Sequence, residues 1–188
     1  MTHAHALPLD RVAAIAGRID RPIVLVGLMG VGKSTVGRRL AALLETGFVD
    51  ADEEIERAAD RSVAEIFDAH GETYFREGER RVIARLMEED HGVIATGGGA
   101  FVNAETRRLI LDTAIAVWLD CDIDTLVERT GRRNTRPLLQ KGDPREILTG
   151  LKDQRSAAYA EAQIHVVTDD GPHQQTVLRI LEAIDAWL

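Results

Sequence analysis

Cysteine is almost missing from this 188-residue chain: Cys121 stands alone, so no intrachain disulfide can form and the usual Cys-rich zinc clusters are excluded. A lone thiol fits a reducing compartment, and the expected location is cytoplasmic. Long apolar runs are missing too. The longest, over 23–28 and 114–119, fall far short of the ~20 residues that a membrane span requires. The first twenty residues offer no uninterrupted apolar leader, because Asp10, Arg11 and Arg18 break them up. Basic residues are outnumbered, 23 Lys and Arg against 31 Asp and Glu, for a net charge of −8. A dedicated nucleic-acid binder rewards the opposite balance, so neither nucleic acid nor membrane is an expected partner. What remains is an ordinary globular composition, 45% hydrophobic and 29% charged, at a length that suits one domain.

Short β-rich apolar runs alternate with stretches of helical periodicity. Strands are expected over 23–26, 48–50, 93–95, 114–119 and 164–167. Helices are expected from Lys33 onward, over 53–60, 62–70, 74–90, 104–112 and 122–130, then over about 145–161 and 174–188. Ser62 with Glu65 has the form of a capping box. Residues 131–143 read as a loop. Residues 1–20 read as an N-terminal arm, with Val12, Ala13, Ile15 and Ala16 on one side of a short surface helix or frayed segment. The βαβ spacing predicts an α/β fold, a parallel sheet covered on both faces with ligands at the carboxyl ends of its strands.

Gly27-Leu28-Met29-Gly30-Val31-Gly32-Lys33-Ser34 satisfies G-x-x-x-x-G-K-[ST] immediately after a strand and before a helix, which is the context that motif needs. Its glycines let backbone N–H groups converge on phosphate oxygens, and the helix start adds a positive dipole end. Lys33 can reach the β- and γ-phosphates and Ser34 can ligate Mg²⁺. A nucleoside triphosphate is therefore the expected ligand. No N-K-x-D is present, which argues against a GTPase, and Asp68-Ala69-His70-Gly71 matches D-x-x-G only inside a helical stretch. Two strand-terminal aspartates compete for the metal-side role: Asp50, after Phe48-Val49, and Asp120, after Ala116-Val117-Trp118-Leu119.

Asp50-Ala51-Asp52 ends the second strand. In an extended segment, residues two apart face the same way, so both carboxylates would address the strand-end crevice. The plain alternative is an N-cap at a strand-to-helix junction. Gly97-Gly98-Gly99 permits either close backbone approach to a ligand or simply a tight turn. Arg129, Arg132, Arg133 and Arg136 crowd into eight residues of an acidic chain beside Gly131, and read either as a solvated loop or as a lid that closes over phosphates.

Taken together, these segments resemble shikimate kinase. The match runs from about Pro22 to the C-terminus and rests on Gly27 to Thr35, Asp50-x-Asp52 with Ile55-Glu56, Phe75-Arg76 with Glu79, Thr96 to Gly99, Arg136-Pro-Leu-Leu139, and Arg155 with Tyr159. The resemblance implies a P-loop kinase of nucleoside monophosphate kinase-like fold, with a five-stranded parallel sheet in order 2-3-1-4-5. It also implies an acceptor-binding sub-region over about 51–80, a lid over about 131–143, and a monomer. The implied reaction is phosphoryl transfer from MgATP to the 3-hydroxyl of shikimate, in aromatic amino acid biosynthesis. By the same resemblance Gly30, Val31, Gly32, Lys33, Ser34 and Thr35 hold the phosphates, Arg129 lies against adenine, and Arg136 swings in with the lid. Ser34 ligates Mg²⁺ with Asp50 supporting it through water, which leaves Asp120 structural. Asp52 orients or deprotonates the acceptor hydroxyl. Arg76 and Arg155 grip the carboxylate beside Gly98 and Gly99, and Glu79 positions Arg76. Lys33, Asp52 and Arg136 are thus the expected catalytic residues. The stretch Thr168 to His173 departs from the family pattern in having no arginine near the adenine, with Pro172 at the expected position. Other acceptors considered are gluconate and a nucleoside monophosphate. A nucleotide-dependent module without turnover is the reading from another class.

Overall fold

The computed structural model describes residues 7–89, 92–132, 139, 142–169 and 171–188. Five strands form one parallel sheet: β1 (Ile23–Val26), β2 (Phe48–Asp50), β3 (Val93–Ala95), β4 (Ile115–Asp120) and β5 (Ile164–Val167), in the order β2-β3-β1-β4-β5. The central strand β1 is Ile-Val-Leu-Val with no exposed residue, as a parallel strand covered on both faces should be. Its register sets Ile23 beside Val93 on one side and Ile115 on the other. The edge strand β5 instead alternates: Ile164 and Val166 point inward, His165 and Val167 outward.

Eight helices flank the sheet among the described residues: α1 (Leu9–Ala16), α2 (Lys33–Leu43), α3 (Ala51–Ala59), α4 (Val63–Glu88), α5 (Ala104–Thr113), α6 (Ile123–Gly131), α7 (Pro144–Tyr159) and α8 (His173–Trp187). Side chains cap many of them as the sequence dictates. Asp50 caps α3, Asn103 caps α5, Asp122 caps α6 and Asp143 caps α7. The capping box at Ser62 and Glu65 is formed in full.

The helical elements match expectation in two places, and the Asp50 turn departs from it. The helices expected over 62–70 and 74–90 are present as the two halves of α4, separated by a kink at Gly71, whose φ of 79° and ψ of 176° are not helical. The short helix expected in the N-terminal arm is present as α1, and it packs on α8 with Val12 and Ile15 buried in the main core. And Asp50-Ala51-Asp52 does not stay extended. The strand stops at Asp50 and the helix starts at Ala51, so Asp50 is the N-cap and Asp52 lies in the first turn.

The carboxyl end of the sheet thus collects the glycine loop after β1, the Asp50 turn after β2 and the triple glycine after β3. A single 3₁₀ turn (Ala100–Val102) then leads from that triple glycine toward α5, with Ala100 and Phe101 fully buried.

Candidate active site

The loop from β1 to α2 is curled by glycines at positive φ, 138° at Gly27, 85° at Gly30 and 99° at Gly32. Gly32 is the N-cap of α2 in the left-handed region, where a side chain would be strained. This conformation turns the helix start toward the crevice at the strand ends, the arrangement that receives phosphate. Lys33 is folded over the loop, its Nζ donating to the carbonyl oxygens of Gly27 at 2.7 Å and Leu28 at 2.9 Å.

Next to the loop, Ser34 Oγ donates to Asp50 Oδ2 at 2.5 Å. The other oxygen of Asp50 accepts the Asp52 backbone N–H at 3.0 Å. One carboxylate therefore ties the end of β2, the start of α3 and the glycine loop together. Asp120 takes no such place: its partners are Lys152, His165 and the Cys121 backbone N–H, and it does not line the phosphate cleft. Of the two strand-terminal aspartates, Asp50 lines the cleft and Asp120 does not.

Asp52 sits in a different environment from Asp50. Burial, reinforced by the charges of Asp50 and Glu79, pushes its carboxyl up to about 6, against the pull of Lys33. Glu79 is 2% exposed, and burial raises it as well, despite the Arg76 guanidinium that donates to its Oε2 at 2.6 Å. Its Oε1 has no hydrogen-bond partner among the described residues. Both carboxyl groups face the triple-glycine turn. A Cβ on Gly97 would stand 2.8 Å from Asp52 Oδ1 and 3.0 Å from Glu79 Oε1.

The same turn seats both arginines. A Cβ on Gly99 would lie 2.2 Å from Arg76 Nη2, so the guanidinium uses the space a side chain would fill. Arg155 Nη1 lies 3.2 Å from the corresponding point on Gly98. Tyr159, one turn further along α7, donates its hydroxyl to the Gly98 carbonyl.

A cleft of about 610 Å³ joins these parts. Gly30, Gly32, Lys33, Ser34, Thr35, Asp50, Asp52, Gly98 and Arg129 line it, as the sequence leads one to expect; Val31 is buried behind the loop. Arg76, Arg155 and Gly99 do not line it; Arg155 adjoins it at Gly98, and Arg76 packs on Gly99 just beyond. Arg129 is anchored by the carbonyls of Val31 at 3.3 Å and Asp169 at 2.7 Å. Arg136 and most of the expected lid, residues 133–138, 140 and 141, lie outside the described residues.

Sequence reasoning missed Glu128 and His173 as cleft residues. Glu128 pairs with Arg132 one turn along α6, an i,i+4 spacing that was available to read. His173 opens α8 immediately after Pro172, the N-cap, and its ring lies 3.4 Å from where a Gly32 side chain would begin. Burial, with the charges of Arg129 and Arg39, holds this imidazole below its usual range. Its only sequence signal was position, at the carboxyl edge just past the last strand.

A glycine loop at a helix start, a hydroxyl–carboxylate pair beside it and a half-buried carboxyl across the same cleft define a P-loop phosphotransferase that acts on a small molecule. Residues 29–185 match the family model described as shikimate kinase. A shikimate kinase from Novosphingobium aromaticivorans is 60% identical over 189 aligned residues, which span 98% of each chain. The solved shikimate kinase of Acinetobacter baumannii in complex with shikimate aligns with a TM-score of 0.86 at 36% identity, over 95% of this chain and 98% of that one. A gluconokinase from Sinorhizobium meliloti, at 18% identity and a TM-score of 0.62, is similar in fold alone. The chain belongs to the shikimate kinase family.

Proposed function

We propose that the chain moves the γ-phosphoryl group of ATP to the 3-hydroxyl of shikimate, giving ADP and 3-phosphoshikimate, at the cleft built by the glycine loop, Asp50, Asp52 and the triple glycine. The observation that carries this reading is the meeting of two unlike half-sites at one sheet edge. Backbone N–H groups and Lys33 suit a triphosphate, while a half-buried carboxyl and two guanidiniums around Gly97–Gly99 suit a hydroxylated acid.

In that reading Gly30 to Thr35 hold the β- and γ-phosphates, and Lys33 exchanges its carbonyl partners for phosphate oxygens. Asp52 accepts or aligns the attacking hydroxyl, a task suited to a carboxyl poised near neutrality. Arg76, braced by Glu79, and Arg155 hold the acceptor carboxylate, with the Gly98 and Gly99 backbone beside them. Arg129 flanks the base, and Arg136 neutralises the moving phosphoryl. Ser34 would ligate Mg²⁺ and Asp50 would support it through water, oxygen donors of the kind this ion accepts. The ion would supply charge neutralisation between the phosphates. We place the enzyme in the cytoplasm: no described helix is long and apolar enough to cross a membrane, and Cys121 is a buried free thiol.

An acceptor panel tests the reading. With MgATP, ADP release coupled to a chromogenic readout should require shikimate, and the product should carry one phosphate ester. Turnover with gluconate or a nucleoside monophosphate, and none with shikimate, would overturn it.

A further inference from the structure

Asp120 has the look of a metal-side residue in the sequence, yet it plays no part in the phosphate cleft. Its actual partners come from three elements. Oδ1 accepts the Cys121 backbone N–H at 2.8 Å and lies 2.9 Å from Lys152 Nζ on α7, while Oδ2 lies 3.4 Å from His165 Nε2 on β5. Lys152 Nζ also donates to the Cys121 carbonyl at 2.7 Å. The ammonium therefore bridges both sides of the β4 terminus. His165 is fixed in turn by stacking on Trp118, with ring centroids 4.0 Å apart.

Helix α7 needs such a tether. Of its sixteen residues Leu148 and Tyr159 are buried and Leu151 packs half-buried on the core, contacts that hold the helix against the sheet but do not by themselves set its rotation to the ångström. Lys152, Arg155, Ser156 and Tyr159 follow the i, i+3, i+4, i+7 spacing of one helix face. Arg155 lies one turn beyond Lys152 and one turn before Tyr159, whose hydroxyl holds the Gly98 carbonyl. Two polar anchors thus bracket the guanidinium, one on the end of β4 and one on the triple-glycine turn. Rotating or sliding α7 by a fraction of a turn would carry Arg155 away from Gly98, and the Lys152 anchor opposes that movement.

We infer that the Asp120–Lys152 pair is a positioning device that fixes α7 so that Arg155 faces the acceptor's carboxylate. It rests on the proposed place of Arg155 in the shikimate site. The pair touches neither substrate. It sets how well a preorganised cation meets a small anion, so its loss should appear in acceptor KM rather than in ATP KM.

The test is a double-mutant cycle on the full chain, with KM for each substrate and kcat measured in parallel. Lys152→Met should raise the shikimate KM roughly fivefold and leave the ATP KM within about twofold. Lys152→Arg, which keeps the charge and reach, should restore most of the loss. In an Arg155→Ala background the Lys152→Met penalty should vanish, because the residue through which it acts is gone. Asp120→Asn should show the same split as Lys152→Met, with an unchanged Mg²⁺ requirement. A folded Lys152→Met variant with unaltered shikimate KM would overturn the inference. So would a penalty that persists without Arg155, or an Asp120→Asn variant whose defect is in Mg²⁺ dependence. Arg155→Ala alone separates the two levels: an unchanged shikimate KM in that variant removes the assignment of Arg155 itself.

Discussion

Asp50 and Asp52 are two residues apart and chemically alike, yet the fold gives them opposite characters. Asp50, also half-buried, spends its two oxygens on the Ser34 hydroxyl and a backbone N–H. Asp52 is half-buried among other carboxyl groups and pushed up to about 6. Two consequences follow, with determined signs. A base must be ionised, so kcat/KM for shikimate should fall as pH drops through about 6, and Asp52→Asn should abolish that limb and lower turnover by about 10²-fold or more. The folded chain binds this proton more tightly than the unfolded chain does. The group therefore weakens folding at neutral pH, and the penalty is relieved as pH falls from above 6 toward the ordinary carboxylate range. Asparagine carries no charge to bury. Asp52→Asn should thus gain on the order of 2 kcal/mol of stability at pH 7.5, read from urea denaturation, while losing activity. A variant equal to the parent in both measurements would remove Asp52 from the chemistry.

At the scale of elements, α4 carries Arg76 and Glu79, the residues proposed for the acceptor side, beyond a break, and the break depends on one glycine. Gly71 at φ 79° and ψ 176° occupies a region that side-chain-bearing residues avoid at a cost of roughly 1–3 kcal/mol. Nothing lies within 4 Å of a Cβ built there, so the expected loss in Gly71→Ala comes from the backbone and not from a clash. Gly78 lies seven residues on in the same helix with equally open surroundings but regular geometry. Gly78→Ala should therefore stabilise by about 0.5–1 kcal/mol, the usual helical preference for alanine. Opposite shifts in denaturation midpoint from the same substitution would establish the bend as a fixed feature of the helix. This bend also shows where the sequence was legible. Strand positions and helix caps are local properties, and Ser62, Asp122 and the five apolar runs announce themselves. The two helical stretches on either side of Gly71 were legible from their periodicity, but the direction of the kink between them was not, because it depends on Phe75 and Ile66 packing together on Ile55. The glycine loop was readable for the same local reason. The cleft roles of Glu128 and His173 were not, since they arise only when α6 and α8 are brought to one edge of the sheet.

For the molecule as a whole, the least expected feature is the anchoring of its N-terminal helix. Two kinds of contact join α1 to α8, and their magnitudes differ. Arg11 and Arg18 both pair with Asp185, at 3.2 and 2.6 Å, but the arginine side chains are 54% and 47% exposed and such surface pairs contribute about 0–1 kcal/mol. Val12 and Ile15 are 4% and 1% exposed within the main core, where truncating a large aliphatic side chain costs about 2–5 kcal/mol. Burial should therefore dominate. Ile15→Ala is expected to lower Tm by roughly 5–10 °C, whereas Asp185→Asn should lower it by no more than about 3 °C, and less at high salt. None of these residues lines the phosphate cleft, so the shikimate and ATP KM values of both variants at 25 °C should match the parent. If Asp185→Asn proved the more damaging, α1 would be held electrostatically, and its two core side chains would be incidental to its attachment.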